Sequence, residues 1–166
     1  MRILAIIIAF LCLPIAVVIA FVIFITSGGN AIFKQIRVGR NREEFVIYKF
    51  KTMENNQVTK VGRVLRKLGL DELPQLINIV KGDMAFVGPR PLTNYDIQRL
   101  GWNDSIFDKR WSVKPGITCK AQLSKVCNAH ESMENDLWYV ANKSFVVDLG
   151  LITKSIFVPL IGKRTK

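Results

Sequence analysis

The sequence predicts an α+β chain, mainly helical, with one small β-hairpin and a single apolar helix at its N-terminus. Three observations carry this. Ile3 to Ile25 form an apolar run broken only by Cys12 and Pro14, two short apolar or aromatic stretches flank a basic turn containing Gly39, and later segments of helical period are punctuated by Gly and Pro. The run and its flank, residues 1–27, separate from residues 28–166, a stretch of about 140 residues that suffices for one compact domain.

As a straight helix the run would reach about 35 Å, enough for a hydrocarbon core of about 30 Å. Pro14 divides it into equal halves, removes one backbone donor and presses its ring on the preceding turn, so a bend between Cys12 and Val18 is physically reasonable. A spanning helix and a hairpin that enters and leaves one face both remain open. A cleaved secretory signal fits less well, because the run is long and lacks a small-residue cleavage pattern. Thr26, Ser27, Gly28, Gly29 and Asn30 end the run, and the positive cluster of Lys34, Arg37, Arg40 and Arg42 is expected to stay cytoplasmic.

Lys and Arg number 24 against 13 Asp and Glu, a net charge of +11 that lies almost wholly after the apolar run. Such a balance suits an anionic membrane surface, a phosphorylated substrate or nucleic acid, and charge alone does not choose. Cys12, Cys119 and Cys127 form no disulfide framework and fit a reducing cytoplasm. Cys119 and Cys127 with His130 lack a fourth spaced ligand for zinc, and His130 reads as a surface residue.

Ala31 to Gln35 and Phe45 to Phe50 read as the strands of the hairpin, with Arg37 to Arg42 as its charged connection. Glu54 to Lys60 is polar and reads as a loop. Val61 to Leu68 places Val61, Val64, Leu65 and Leu68 at helical intervals, with Arg63, Arg66 and Lys67 on a basic face that could lie beside phosphate or lipid head groups. Gly69 breaks this helix. A second is expected from Asp71 to Gly82, with Asp71 as cap, Glu72 and Pro74 in the first turn, and Leu73, Leu76, Ile77 and Val80 as the buried stripe.

Ala85 to Val87 leads into Gly88-Pro89-Arg90-Pro91, where two prolines fix the backbone around an arginine. Leu92 to Leu100 and Ile106 to Trp111 read as short helices, Lys114 to Thr118 as a rigid turn and Glu131 to Ala141 as a helix. The final apolar blocks, Phe145 to Ile152 and Ile156 to Ile161, either pack on the core or lie in a membrane interface, and the closing Lys163, Arg164 and Lys166 favour the interface.

Asp71 and Glu72 are the sharpest chemical candidates. Adjacent acids at a helix start are commonly capping and surface charge. Here they keep company with a membrane segment, many cations and a rigid Arg90, whose planar fork suits a phosphate or carboxylate. A carboxylate can attack phosphorus, while Mg²⁺ and Arg spread the charge that accumulates on the transferred group. Asp83 is a further metal or substrate candidate, or a surface residue that ends the helix. Lys49 and Lys51 flank Phe50 and would share one face of a strand, meeting one anion together or standing solvated. The chain has no usable Ser-His-Asp arrangement, P-loop or dinucleotide fingerprint.

Several of these segments are similar to the bacterial sugar transferases, the monotopic polyprenyl-phosphate phosphoglycosyl transferases. The segments are Lys49-Phe50-Lys51-Thr52-Met53, Leu70-Asp71-Glu72-Leu73-Pro74-Gln75-Leu76-Ile77-Asn78, Lys81-Gly82-Asp83-Met84 and Phe86-Val87-Gly88-Pro89-Arg90-Pro91-Leu92. Lys114-Pro115-Gly116-Ile117-Thr118, Ala121-Gln122 and Asp136 through Tyr139 continue the match in the same order over nearly the whole chain.

The resemblance implies transfer of a phosphosugar from a nucleoside diphosphate sugar, UDP-linked, to polyprenyl phosphate, with release of UMP. Asp71 matches the nucleophile that carries the covalent phosphosugar and Glu72 its acidic partner, with Mg²⁺ held near Asp71. Lys49, Lys51, Arg66, Asp83, Pro89, Arg90, Pro91 and Gln122 become the expected substrate contacts. The fold implied is a single, predominantly helical catalytic domain facing the cytoplasm of a bacterial inner or plasma membrane, with a re-entrant helix bent near Pro14. Expected partners are the UDP-sugar, the polyprenyl phosphate, anionic phospholipid and downstream membrane glycosyltransferases, in a polysaccharide, lipopolysaccharide or glycoconjugate pathway; nucleic acid is not among them.

The chain departs from the family pattern in five places. Leu13 precedes Pro14 where many relatives have serine, the basic start before the membrane helix is nearly missing, the loop after Met53 is short, Cys119-Lys120 replaces a Gly-Trp pair, and Ser124-Lys125-Val126-Cys127 replaces a basic, Asn-containing stretch. The last two fall where sugar or nucleotide selection is expected, so reaction type is better specified than sugar. The competing readings are a catalytically inactive membrane adaptor and a membrane-tethered nucleic-acid-binding protein.

Overall fold

The computed structural model describes residues 2–27, 29–123 and 128–157. The departure at Ser124 to Cys127, the last apolar block beyond Phe157 and the basic residues Lys163, Arg164 and Lys166 lie outside the described residues. The described residues form two compact units, residues 2–35 with 46–82, and residues 36–45 with 83–157.

In the first unit, helix α1 spans Arg2–Ser27 with Pro14 inside it. It is long and apolar enough to cross a membrane. Most of its apolar side chains are exposed, whereas Ala5, Ile19 and Ile23 are buried. Ile19 and Ile23 pack with Phe50 and Leu65, and Ala16, Ala20, Ala31, Val61, Leu70 and Leu73 close around them. A 26-residue helix with so little of its surface covered matches a lipid environment better than a water-facing one.

Strands β1 (Ile32–Val38) and β2 (Glu44–Phe50) pair as the expected hairpin, joined through a single 3-10 turn at Arg40–Arg42. The next segment is more ordered than the predicted loop. β3 (Met53–Glu54) pairs antiparallel with β4 (Gln57–Val58), and Asn55 and Asn56 turn at φ 47° and 61°. Asn tolerates the left-handed region that a two-residue hairpin turn needs, so its polarity marked a turn chemistry and not disorder.

Helix α2 (Lys60–Leu68) begins where the Thr59 hydroxyl accepts the Gly62 amide and ends at Gly69, φ 71°. Val64 and Leu68, expected inside, are exposed, and the helix turns Gly62 and Leu65 inward instead. The predicted helix from Asp71 is replaced by a 3-10 helix, Leu70–Gln75, followed by α3, Leu76–Lys81. Asp71 therefore does not cap a helix: it sits inside the 3-10 segment, whose preceding residue Gly69 makes no side-chain cap. Pro74 explains the delay, because its missing amide and its ring prevent regular α-helix until the chain has passed it. The register shifts with it, leaving Ile77 exposed and Ile79 and Asn78 buried. Asn78 spans neighbouring backbone, accepting the Tyr48 amide at 3.2 Å and donating to the Val46 carbonyl at 2.7 Å, which ties α3 to β2.

In the second unit, β5 (Ala85–Val87) runs parallel to β6 (Gly116–Thr118), with Ala85 opposite Gly116 and Val87 opposite Thr118. The rigid turn expected at Lys114 to Thr118 is thus half strand. Gly88 and Gly116 permit the approach: a Cβ on either would run into the backbone of the other segment. Helix α4 (Asn94–Leu100) starts with a Thr93–Asp96 capping box, and a 3-10 helix covers Ser105–Ser112. α5 (Lys120–Leu123), α6 (Ala129–Asn142) and α7 (Phe145–Phe157) complete the unit. One core joins Val38, Leu92, Ile97, Trp102, Trp111 and Met133; a second joins Val87, Tyr139 and Leu151. The domain is predominantly helical with small β-sheets, as the sequence predicts.

Candidate active site

In the first unit the site is built on the turn that Gly69 and Pro74 create. Asp71 and Glu72 are both half-buried on the 3-10 segment. Glu72 Oε1 accepts from Lys49 Nζ at 2.8 Å, an ion pair whose two side chains are largely shielded. Burial first, and the neighbouring Glu72 second, push the Asp71 carboxyl above the ordinary carboxylate range, against the pull of Lys49, of a backbone hydrogen bond at Asp71 and of Arg66. Two hard oxygen donors adjacent in sequence, one with its charge under-compensated, fit a Mg²⁺ ion, which takes one or two carboxylates and fills its shell with water and substrate phosphate.

Arg66 is aimed by α2. Its Nε donates to the Thr52 hydroxyl at 2.9 Å, and α2 lies so close to Thr52 that a Cβ on Gly62 would meet the Thr52 backbone. Lys51 lies just past the end of β2 at Phe50, its amide donating to the Ala31 carbonyl at 2.8 Å and its Nζ standing 3.6 Å from Glu54. Of the expected substrate contacts in this unit, Lys49 and Arg66 face the Asp71–Glu72 pair, while Lys51 engages a different carboxylate.

In the second unit the Pro-Arg-Pro segment is a rigid presentation device. Pro89 and Pro91 are buried and Arg90 is exposed between them. The Gly116 amide donates to the Pro89 carbonyl at 3.0 Å and the Gly88 amide to the Thr118 carbonyl at 3.1 Å, extending the β5–β6 ladder to the edge of Arg90. Gln122 accepts the Cys119 amide through its Oε1 at 3.3 Å, and the Cys119 thiol is buried, its pKa pushed up to about 12 by desolvation and by Asp136. Asp83 is half-buried just after Gly82.

Three residues to which the sequence analysis gave no role of their own shape these surroundings. Thr52 holds Arg66, Asn78 holds β2 against α3, and Arg110 pairs with Asp136 at 2.8 Å with each side chain 2% exposed. The only local signal for Arg110 was the adjacent Trp111; its guanidinium stands 4.4 Å from that ring centroid and 5.3 Å from the centroid of Trp102.

A family model described as bacterial sugar transferase matches residues 2–162. The chain is 36% identical to an uncharacterized sugar transferase, EpsL, of Bacillus subtilis, over 93% of this chain and 83% of that one. It is 35% identical to a UDP-N-acetylgalactosamine-undecaprenyl-phosphate N-acetylgalactosaminephosphotransferase of Aeromonas hydrophila, over 90% of this chain but 40% of that protein. It is 34% identical to a UDP-glucose:undecaprenyl-phosphate glucose-1-phosphate transferase of Klebsiella pneumoniae, over 90% of this chain and 37% of that one. The alignment thus spans well under half of these two longer relatives. With a family model matching almost end to end and relatives above 30% identity, the chain belongs to the bacterial sugar transferase family.

Proposed function

We propose that the chain transfers a phosphosugar from a UDP-sugar to polyprenyl phosphate at the cytoplasmic face of a bacterial inner or plasma membrane. The observation that carries this reading is Asp71: a half-buried carboxylate beside Glu72, faced by Lys49 and Arg66, on a turn rather than capping a helix. A carboxylate desolvated in this way and faced by cations is suited to attack a phosphorus.

In the first step an Asp71 oxygen bonds to the sugar-bearing phosphorus. The bond from that phosphorus to the bridging oxygen breaks, and the electron pair leaves with UMP. In the second, a phosphate oxygen of the polyprenyl acceptor attacks the same phosphorus and returns the Asp71 carboxylate, leaving a polyprenyl-diphosphate sugar. Lys49 holds Glu72 in place beside Asp71, and Arg66 offers charge to phosphate oxygens; Arg90, on the second unit, is the donor contact that the family resemblance implies. Mg²⁺, held by Asp71 with Glu72 adjacent, would supply further charge neutralisation on the phosphoryl oxygens.

Two contacts support the membrane half of the reading. The Arg2 guanidinium lies against Gly82, while Ile19 and Ile23 pack on the same unit. With both ends of α1 on one unit, the re-entrant course is favoured over one that carries Arg2 to the far leaflet. The outward face of α2 sets exposed Val64 and Leu68 beside Lys60, Arg63 and Lys67, the pattern of a helix lying on anionic lipid.

The test is to combine detergent-solubilised protein with Mg²⁺, a panel of UDP-sugars and polyprenyl phosphate, following UMP release, and to weigh the protein after donor alone. A phosphosugar adduct on Asp71, absent in Asp71→Asn together with turnover, is expected. Turnover that survives Asp71→Asn with no adduct on the wild type sinks the mechanism. Salt-sensitive nucleic-acid binding without nucleotide release would favour the tethered binder instead.

A further inference from the structure

Arg90 leaves the fold between two buried prolines, and guanidinium groups from elsewhere in the same unit grip the backbone on which it stands. Arg110 Nη2 donates to the Arg90 carbonyl at 2.6 Å, and Arg37 Nη1 donates to the Pro91 carbonyl at 3.2 Å. Each of these arginines is tied in turn to a carboxylate: Arg110 Nε to Asp136 at 2.8 Å, Arg37 Nη1 to Asp96 at 3.5 Å. The next carbonyl, Leu92, accepts the Val38 amide at 2.8 Å. Three consecutive carbonyls are therefore held, two of them by charge-paired arginines.

Holding a carbonyl does not by itself require a buried cation, since one backbone amide would serve, as at Leu92. Burying Arg110 strips it of hydration, a loss offset only by good geometry with Asp136 and by the faces of Trp102 and Trp111. A guanidinium fork does what an amide cannot: it fixes direction at two atoms at once, binding the carboxylate through Nε and the carbonyl through Nη2. Asp96 is itself fixed, its Oδ2 accepting the Thr93 hydroxyl at 2.7 Å and the Thr93 amide at 3.2 Å, so the second grip is anchored in the cap of α4.

We propose that Arg110 and Arg37 are positioning residues, held by Asp136 and Asp96, which grip the Arg90 and Pro91 carbonyls so that the Arg90 guanidinium is presented to the diphosphate of the donor. This rests on the reading that Arg90 meets the donor. Arg37 and Arg90 also repel one another where Arg37 is partly desolvated, and a phosphate at Arg90 relieves that repulsion.

The test is a set of double-mutant cycles on the full chain in nanodiscs, with UDP and Mg²⁺ as the titrated probe and thermal stability recorded alongside. Arg110→Lys keeps the charge but cannot reach carboxylate and carbonyl together, Asp136→Asn keeps an oxygen acceptor without the charge, and Arg37→Lys addresses the second grip. Arg110→Lys is expected to weaken UDP binding on the order of 10-fold when Arg90 is present and by less than about 2-fold in an Arg90→Ala background. Donor KM should rise in step, with kcat changed less. Arg37→Lys should show the same dependence on Arg90 at smaller amplitude.

Equal losses in both backgrounds overturn the positioning role, because a general packing defect is indifferent to Arg90. An Arg90→Ala protein that binds UDP as tightly as wild type overturns it as well, together with the placement of Arg90 at the donor. The Asp71 adduct and UMP release stand or fall by their own assay. Should Arg110→Lys fail to fold, the Arg37→Lys and Asp136→Asn cycles decide between the same two outcomes.

Discussion

Asp71 is half-buried, and that burial carries a thermodynamic cost. Its carboxyl is raised by burial and by Glu72, so the unfolded chain gives up that proton more readily than the folded one. Stability from this group is thus fully present at pH below the unfolded carboxylate value and is lost as pH rises through the higher folded value. Asp71→Asn, measured with EDTA present, should melt at higher temperature than wild type at pH 7, and the difference should shrink as pH falls into the carboxylate range. A wild-type protein that melts higher at pH 7 would contradict the assigned direction. Such a gain with complete loss of turnover is the usual trade at a reactive residue. Cys119 marks the opposite case: buried and with its thiol held near 12, it should resist alkylation at pH 8 in the folded protein and react only on unfolding.

At the scale of elements, α2 is where sequence and structure diverge most usefully. Its apolar positions are legible, but which of them face the protein depends on Gly62, the one position small enough to let the helix touch the Thr52 backbone. Gly62→Ala should improve helix propensity by about 1 kcal/mol yet cost more by overpacking, for a net loss of about 2 kcal/mol in chemical denaturation. It should also disturb Arg66, which is held from the same Thr52. The exposed Val64 and Leu68 lead to a depth measurement. With Cys12, Cys119 and Cys127 replaced, a fluorophore on a cysteine at 64 or 68 should be quenched by lipid-borne quenchers in anionic nanodiscs, and one at Arg99 should not. Equal water exposure at all three would remove α2 from the interface.

At the scale of the whole molecule, the membrane course of α1 is the open variable, and the Arg2–Gly82 contact makes it testable. A single cysteine at residue 2 should react with a membrane-impermeant reagent in inverted vesicles and be protected in intact spheroplasts. The reverse pattern would establish a spanning helix. Arg37 and Arg110, each paired with a carboxylate, add nothing to the net charge of +11, whereas Lys60, Arg63 and Lys67 on the outward face of α2 contribute to it.

By itself the sequence determined what local chemistry dictates: the apolar run, the hairpin, the stops at Gly69 and Gly82, the Asp71–Glu72 pair and the two prolines around Arg90. Those features depend on nearest neighbours, on backbone preference and on hydrophobic period. The tertiary structure alone decided that Asp71 lies in a 3-10 turn, that Val64, Leu68 and Ile77 face outward, and that Gly116 to Thr118 is a strand. It also joined Arg110 to Asp136, Arg37 to Asp96 and Lys49 to Glu72. The reason is physical: a parallel strand pair and a buried ion pair are formed by residues distant in the chain, and no local pattern records which partner will satisfy a desolvated charge.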